Sequence, residues 1–100
     1  MKRLIIALAI ISFIVFRPAV YGVVGTSMEP TIYEGDTVIV VKGLYKEGDI
    51  IAFYWDDLKV IHRIKSIEDG GYIAQGDNNP MPDDLIITDC LIIGKMVVRF

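Results

Sequence analysis

The chain is poor in the residues from which many active sites are built. Its 100 residues contain one cysteine and one histidine. One cysteine cannot close an intrachain disulfide, and one of each cannot supply a zinc site of the usual composition. Positive charge is also sparse. The net charge is −3 and no basic run exists beyond Lys2-Arg3, so the footprint of a nucleic-acid binder is missing and no nucleic acid is expected as partner. There is no soluble helical pattern of ordinary length, no internal repeat and no low-complexity tract. Chemistry must therefore run on side chains or on an oxygen-ligated metal, and the ligand spacing of a calcium loop is missing as well. Neither a metal nor a cofactor is expected.

Apolar residues are plentiful and unevenly placed. They make up 53% of the chain, somewhat above the usual range for soluble domains, and the excess lies mostly before Gly22. Leu4 to Phe16 has Ser12 as its only polar residue, behind Met1-Lys2-Arg3. A full helical span takes ~20 residues, so this run is short and would thin the bilayer, with Arg17 snorkelling to the headgroups. It also has the length of a secretory h-region, but no convincing small-x-small cleavage site follows. Lys2 and Arg3 favour a cytoplasmic N-terminus. The expectation is a single-pass membrane anchor over residues 1–21, a full span or an interfacial helix, and an extracytoplasmic β-rich domain over residues 22–100. The lipid bilayer is then one partner.

Strand signals fill the remainder. Val20 to Val24 reads as a strand leading into a turn at Gly25, and Pro30 holds Glu29 out of the α region, so Glu29 to Thr31 is extended or turning. Thr37 to Lys42 is a continuous apolar run that predicts burial on both faces. Ile50 to Trp55 and Leu58 to Lys65 are strands around a reversal at Asp56-Asp57. Asp69-Gly70-Gly71 is a hairpin turn into Tyr72 to Gln75. Gly76 to Asp84 is the longest irregular stretch. Leu85 to Thr88 and Cys90 to Val98 are read as strands split by Asp89 and Gly94. Short strands with regular turn signals predict one small antiparallel β-sheet or barrel, mainly β, behind one N-terminal transmembrane helix.

Few residues are equipped for catalysis. Of Ser12, Ser27 and Ser66, only Ser27 has a glycine two residues before it and Glu-Pro after it, a frame that exposes Oγ and aims backbone N–H groups at one spot. His62 is in Val60-Ile61-His62-Arg63-Ile64. Alternation puts it on one face with Val60 and Ile64, opposite Ile61. Such a histidine is often structural, yet it is the one base suited to neutral pH without a large shift. Lys59 and Lys65, flanking the same strand, are the other options if buried. Asp77, Asp83 and Asp84 lie in a loop that turn chemistry alone would also explain; an Asp beside the His would fix its tautomer. Cys90 reads as a small buried apolar residue. Composition and spacing stop at a Ser-His-Asp hydrolase.

Five ordered blocks carry a resemblance. Gly25-Thr26-Ser27-Met28-Glu29-Pro30-Thr31, Glu34-Gly35-Asp36, Gly48-Asp49-Ile50-Ile51-Ala52-Phe53, Val60-Ile61-His62-Arg63-Ile64 and Gly76-Asp77-Asn78-Asn79 together resemble the type-I signal peptidases, membrane-anchored serine endopeptidases that remove signal peptides. Bacterial housekeeping members have a lysine where this chain has His62. A histidine there is similar to the archaeal and endoplasmic-reticulum subtype. The resemblance implies Ser27 as nucleophile, His62 as general base and Asp83 as third member, with Asp84 an alternative because Pro80 and Pro82 compress the loop. Asp77 would be a supporting acid. Many relatives have a serine where Gly25 stands, so the oxyanion site would use the Ser27 N–H and the Thr26 hydroxyl. The substrate, a preprotein signal peptide bound as an extended strand, would pair with Val23, Val24 and Gly25 on one side and Val60 and Ile61 on the other. It would be cut after small residues. A secretion translocon or accessory subunits are admitted as further partners. Two alternatives stay open: a related serine processing peptidase for one precursor, and a catalytically inactive membrane-tethered β-barrel binding module.

Overall fold

The computed structural model describes residues 18–100. Six strands form one sheet: β1 (Ala19–Gly22), β2 (Thr37–Val41), β3 (Ile50–Trp55), β4 (Leu58–Glu68), β5 (Gly71–Gln75) and β6 (Ile92–Arg99). Their order is β1-β2-β6-β3-β4-β5, and every neighbouring pair is antiparallel. The expected small antiparallel β architecture is present. The transmembrane helix falls outside the described residues up to residue 17, while Ala19 to Tyr21 are part of β1. Among the described residues no helix is long and apolar enough to cross a membrane.

Both faces of the sheet are covered at its centre, which explains why β3 begins with four consecutive buried residues. Ile51 and Phe53 pack with Ile64, Ala74, Ile87 and Ile92 on one face. Ile50 packs on the other with Met28, Ile32 and Val38. A strand buried on both faces reads as a continuous apolar run rather than an alternating one.

Elsewhere the sequence pattern is modified by position in the sheet. The first strand ends at Gly22, because Val23 exchanges hydrogen bonds with the turn at Gly35-Asp36 instead of with a strand. β2 stops at Val41 and is buried on one face only, at Val38 and Val40; it lies near the sheet's end, where the second face is only partly covered. Leu85 to Thr88 forms no strand, only an isolated bridge between Ile87 and Tyr72. The segment expected to begin at Cys90 starts with a 3-10 turn over Asp89–Leu91 and runs as a strand from Ile92 straight through Gly94. That turn carries Cys90 off the sheet, so the cysteine is exposed and not the buried residue anticipated. β4 runs on to Glu68 past a register shift between Ile64 and Ser66.

Two edges are left open, and they face each other. β1 pairs with β2 alone. The first half of β4, Leu58 to His62, pairs with β3 but not with β5, whose register begins at Arg63. The Lys59 ammonium lies 5.1 Å from the centroid of the Tyr21 ring, a cation–π contact from one open edge to the other. The far edge, by contrast, is closed: Tyr72 and Ile87 exchange both backbone hydrogen bonds at 2.8 Å.

That closure requires a glycine. A Cβ on Gly71 would lie 2.2 Å from the Ile87 carbonyl oxygen, a contact that only backbone movement can relieve. Gly71→Ala is expected to detach the segment around Ile87 and to destabilise the domain by about 1–3 kcal/mol, the usual cost of an overpacked site. A shifted urea-unfolding midpoint checks this; an unchanged midpoint would show that the segment yields freely.

Candidate active site

The serine turn is built by backbone bonds and two apolar anchors. Gly25 has φ +88°, a conformation open to glycine without strain, and its N–H donates to Glu34 Oε1 at 3.2 Å. Glu29 N–H then donates to the Thr26 carbonyl, and Thr31 and Ile32 N–H both donate to the Met28 carbonyl. The Glu29-Pro30 bond inside this turn is cis. Met28 and Ile32 are fully buried in the sheet's second cluster. With its neighbour pinned in the core, Ser27 is left half-buried at the surface of the domain.

His62 reaches that serine from β4. It is 7% exposed and shares a face with Val60 and Ile64, as alternation predicts, with Phe53 edge-on to its ring at 6.2 Å. Its Nε2 lies 3.2 Å from Ser27 Oγ and its Nδ1 2.5 Å from Asp83 Oδ2. With Nδ1–H donating to the carboxylate, Nε2 has a free lone pair and accepts from the serine hydroxyl. Asp83 comes from the loop after β5, where its N–H donates to the Ala74 carbonyl at 2.8 Å. Its side chain is 7% exposed. Among the described residues no buried side-chain nitrogen or oxygen lacks a partner.

Asp77 occupies a different place. It accepts from Arg63 Nε and an Arg63 terminal nitrogen, both at 2.9 Å, and from the Thr31 hydroxyl at 2.6 Å. The other terminal nitrogen of Arg63 donates to the Gly48 carbonyl. The guanidinium holds the Asp77 carboxyl below the usual carboxylate range, with the Thr31 hydroxyl assisting against partial burial, and the same pair raises Arg63. The carboxylate thus ties β4 to the serine turn. Its N–H also reaches Met28 Sδ at 3.4 Å.

The expected residues are therefore sorted. Ser27, His62 and Asp83 are joined in one hydrogen-bonded row, whereas Asp84 is exposed and bonds to neither. Thr26 is exposed, and its carbonyl rather than its hydroxyl is engaged. Val23, Val24, Gly25, Val60 and Ile61 line one cleft of about 410 Å³ with Tyr21, Met28, Ala52 and Ser27. Lys59 and Lys65 are both exposed, so neither is a buried base. The roles of Arg63 and Thr31 were not read from the sequence. Their signal was a cation one residue from His62, turned to the other face, and a hydroxyl in the serine block itself.

A model of the family described as Peptidase S24-like matches residues 17–97. The chain belongs to the Peptidase S24-like family. It is also 36% identical over 87 residues to Signal peptidase I of Bacillus licheniformis, across 82% of this chain and 42% of that protein. The chain thus spans less than half the length of that relative. The family match runs through the serine turn, β4 and the loop after β5, and both likenesses agree with the reading of the chain as part of the S24 and signal peptidase superfamily.

Because the folded Asp77 binds a proton less readily than the unfolded chain, its contribution to stability is complete above the ordinary aspartate value of about 3.9. It is lost as pH falls through its lower folded value. The stability gap between wild type and Asp77→Asn should therefore be constant from neutral pH to about pH 4 and shrink below it. Urea midpoints of the two proteins measured side by side check this; a gap that widens on acidification has the wrong sign.

Proposed function

We propose that the chain is a membrane-bound serine endopeptidase of the type-I signal peptidase kind, cleaving exported preproteins after small residues, and that it uses the histidine-based archaeal and endoplasmic-reticulum chemistry. The observation that supports this best is the position of His62, bonded to Asp83 through Nδ1 and to Ser27 through Nε2. Family membership and the signal peptidase likeness support the hydrolytic class.

In this reading His62 takes the Ser27 proton as Oγ attacks the scissile carbonyl. Asp83 keeps Nδ1 protonated and stabilises the imidazolium without itself taking the proton. Charge developing on the carbonyl oxygen is met by backbone N–H groups of the serine turn. His62 then protonates the leaving amine, and water resolves the acyl-enzyme. The substrate enters as an extended strand between the two open edges, gaining main-chain hydrogen bonds that require no particular sequence. The cleft between Val23 to Gly25 and Val60 to Ile61 then selects side chains by size. The apolar run Leu4 to Phe16, directly before β1, would anchor this site beside the bilayer from which a cleavage site emerges.

Ser27→Ala is expected to abolish processing of a preprotein in detergent or liposomes, a loss of several orders of magnitude. Cleavage that survives this change would defeat the nucleophile assignment. It would also leave the inactive, membrane-tethered binding module as the better account. Since only the neutral imidazole can accept the serine proton, the rate should fall on acidification. A rate that does not fall on acidification is incompatible with a histidine base.

A further inference from the structure

Asn78 grips the serine turn with two donors. Its backbone N–H donates to the Ser27 carbonyl at 2.8 Å, and its Nδ2 donates to the Thr26 carbonyl at 3.1 Å. The acceptor is a carbonyl, so the amide nitrogen and not the amide oxygen must face it. Glu29 N–H adds a second bond to the same Thr26 oxygen at 3.2 Å.

A peptide unit is planar and trans, so its C=O and N–H point in opposite directions. Holding the Thr26 carbonyl therefore fixes where the Ser27 N–H points, and holding the Ser27 carbonyl does the same for the Met28 N–H. Neither N–H donates to an acceptor among the described residues. Both belong to residues that line the open cleft. Two backbone donors with no acceptor, on cleft-lining residues and turned away from a clamped pair of carbonyls, are preorganised for an anion that forms only during reaction. The clamp has added weight in this chain because Gly25 has no side chain to contribute and the Thr26 hydroxyl makes no hydrogen bond.

We infer that Asn78 is a positioning residue that aims the Ser27 N–H at the developing oxyanion. It acts through the turn and touches no substrate atom. The inference rests on Ser27 being the nucleophile. It also gives a chemical reason for Asn at this position: Asp or Leu would fill nearly the same volume but has no donor for the Thr26 carbonyl.

The test compares wild type, Ser27→Ala, Asn78→Leu and Asn78→Asp as full chains in detergent, cleaving a peptide with small residues at the first and third positions before the cut. Both Asn78 variants keep the backbone bond to Ser27. Each is expected to lose about tenfold to a hundredfold in kcat, less than the ~100- to 1000-fold lost when an oxyanion donor is itself removed. KM should stay nearly constant, because the interaction is made only in the transition state. Affinity for a peptide boronate, which mimics the tetrahedral oxyanion, should fall by the same factor, while affinity for the uncleaved peptide, measured on the Ser27→Ala background, stays unchanged. Wild-type kcat in both variants would overturn the role. So would boronate and peptide affinities that weaken together with thermal stability, the signature of a merely disordered turn. Inactive Ser27→Ala beside unimpaired Asn78 variants would sink the positioning role and leave the nucleophile standing; active Ser27→Ala would remove both.

Discussion

The site depends on how closely the chain leaving β5 approaches the serine turn. A Cβ on Gly76 would lie 2.6 Å from the Ser27 carbonyl oxygen and 2.7 Å from the Asn79 side chain. Only a residue with no side chain lets the two backbones meet at this separation. Through that contact the loop delivers Asn78 to the turn's carbonyls and Asp77 to Arg63 and Thr31. A few residues later it brings Asp83 to the imidazole. The serine turn, β4 and the β5 loop are distant in sequence, and each would be poorly defined without the other two.

The two acids of that loop divide their work by environment. Asp77 is tied to a guanidinium with its side chain 18% exposed, so its charge is neutralised locally and its bonds are mechanical, joining β4 to the turn. Asp83 is more deeply covered, its side chain 7% exposed, and meets the imidazole instead of a guanidinium. Burial of a carboxylate without a permanent cation is costly. The bond from Nδ1–H meets part of that cost and fixes the tautomer and orientation of the imidazole. One loop therefore holds a carboxylate bonded to a guanidinium and another bonded to an imidazole, six residues apart.

The open edges follow from the same economy of chain. β5 covers only the second half of β4, and β1 is four residues long. Unpaired backbone is therefore exposed beside the serine on both sides of the cleft. Such edges are ordinarily a hazard for association with other chains. Here they are short, bridged by Lys59 over Tyr21, and bent around a pocket.

What the sequence by itself determined was local. Turn residues at Asp56-Asp57, Asp69-Gly70 and Glu34 to Asp36, and the apolar runs between them, specified β3, the hairpins and the face of β4 that carries His62, because these depend on backbone propensity and a period of two. The serine turn was legible from Gly25 and Pro30 for the same reason. Tertiary structure decided everything that depends on which edges meet. It brought Asp83 rather than Asp84 to the imidazole and turned Asp77 to Arg63. It left β2 covered on one face and moved Cys90 to the surface. Leu85 to Thr88 has strand-like composition but became a bridge of one residue pair, Ile87 with Tyr72. Periodicity reports which side of a strand a residue occupies. It carries no information about what packs against that side, and a long-range hydrogen bond is settled only when the distant partner arrives.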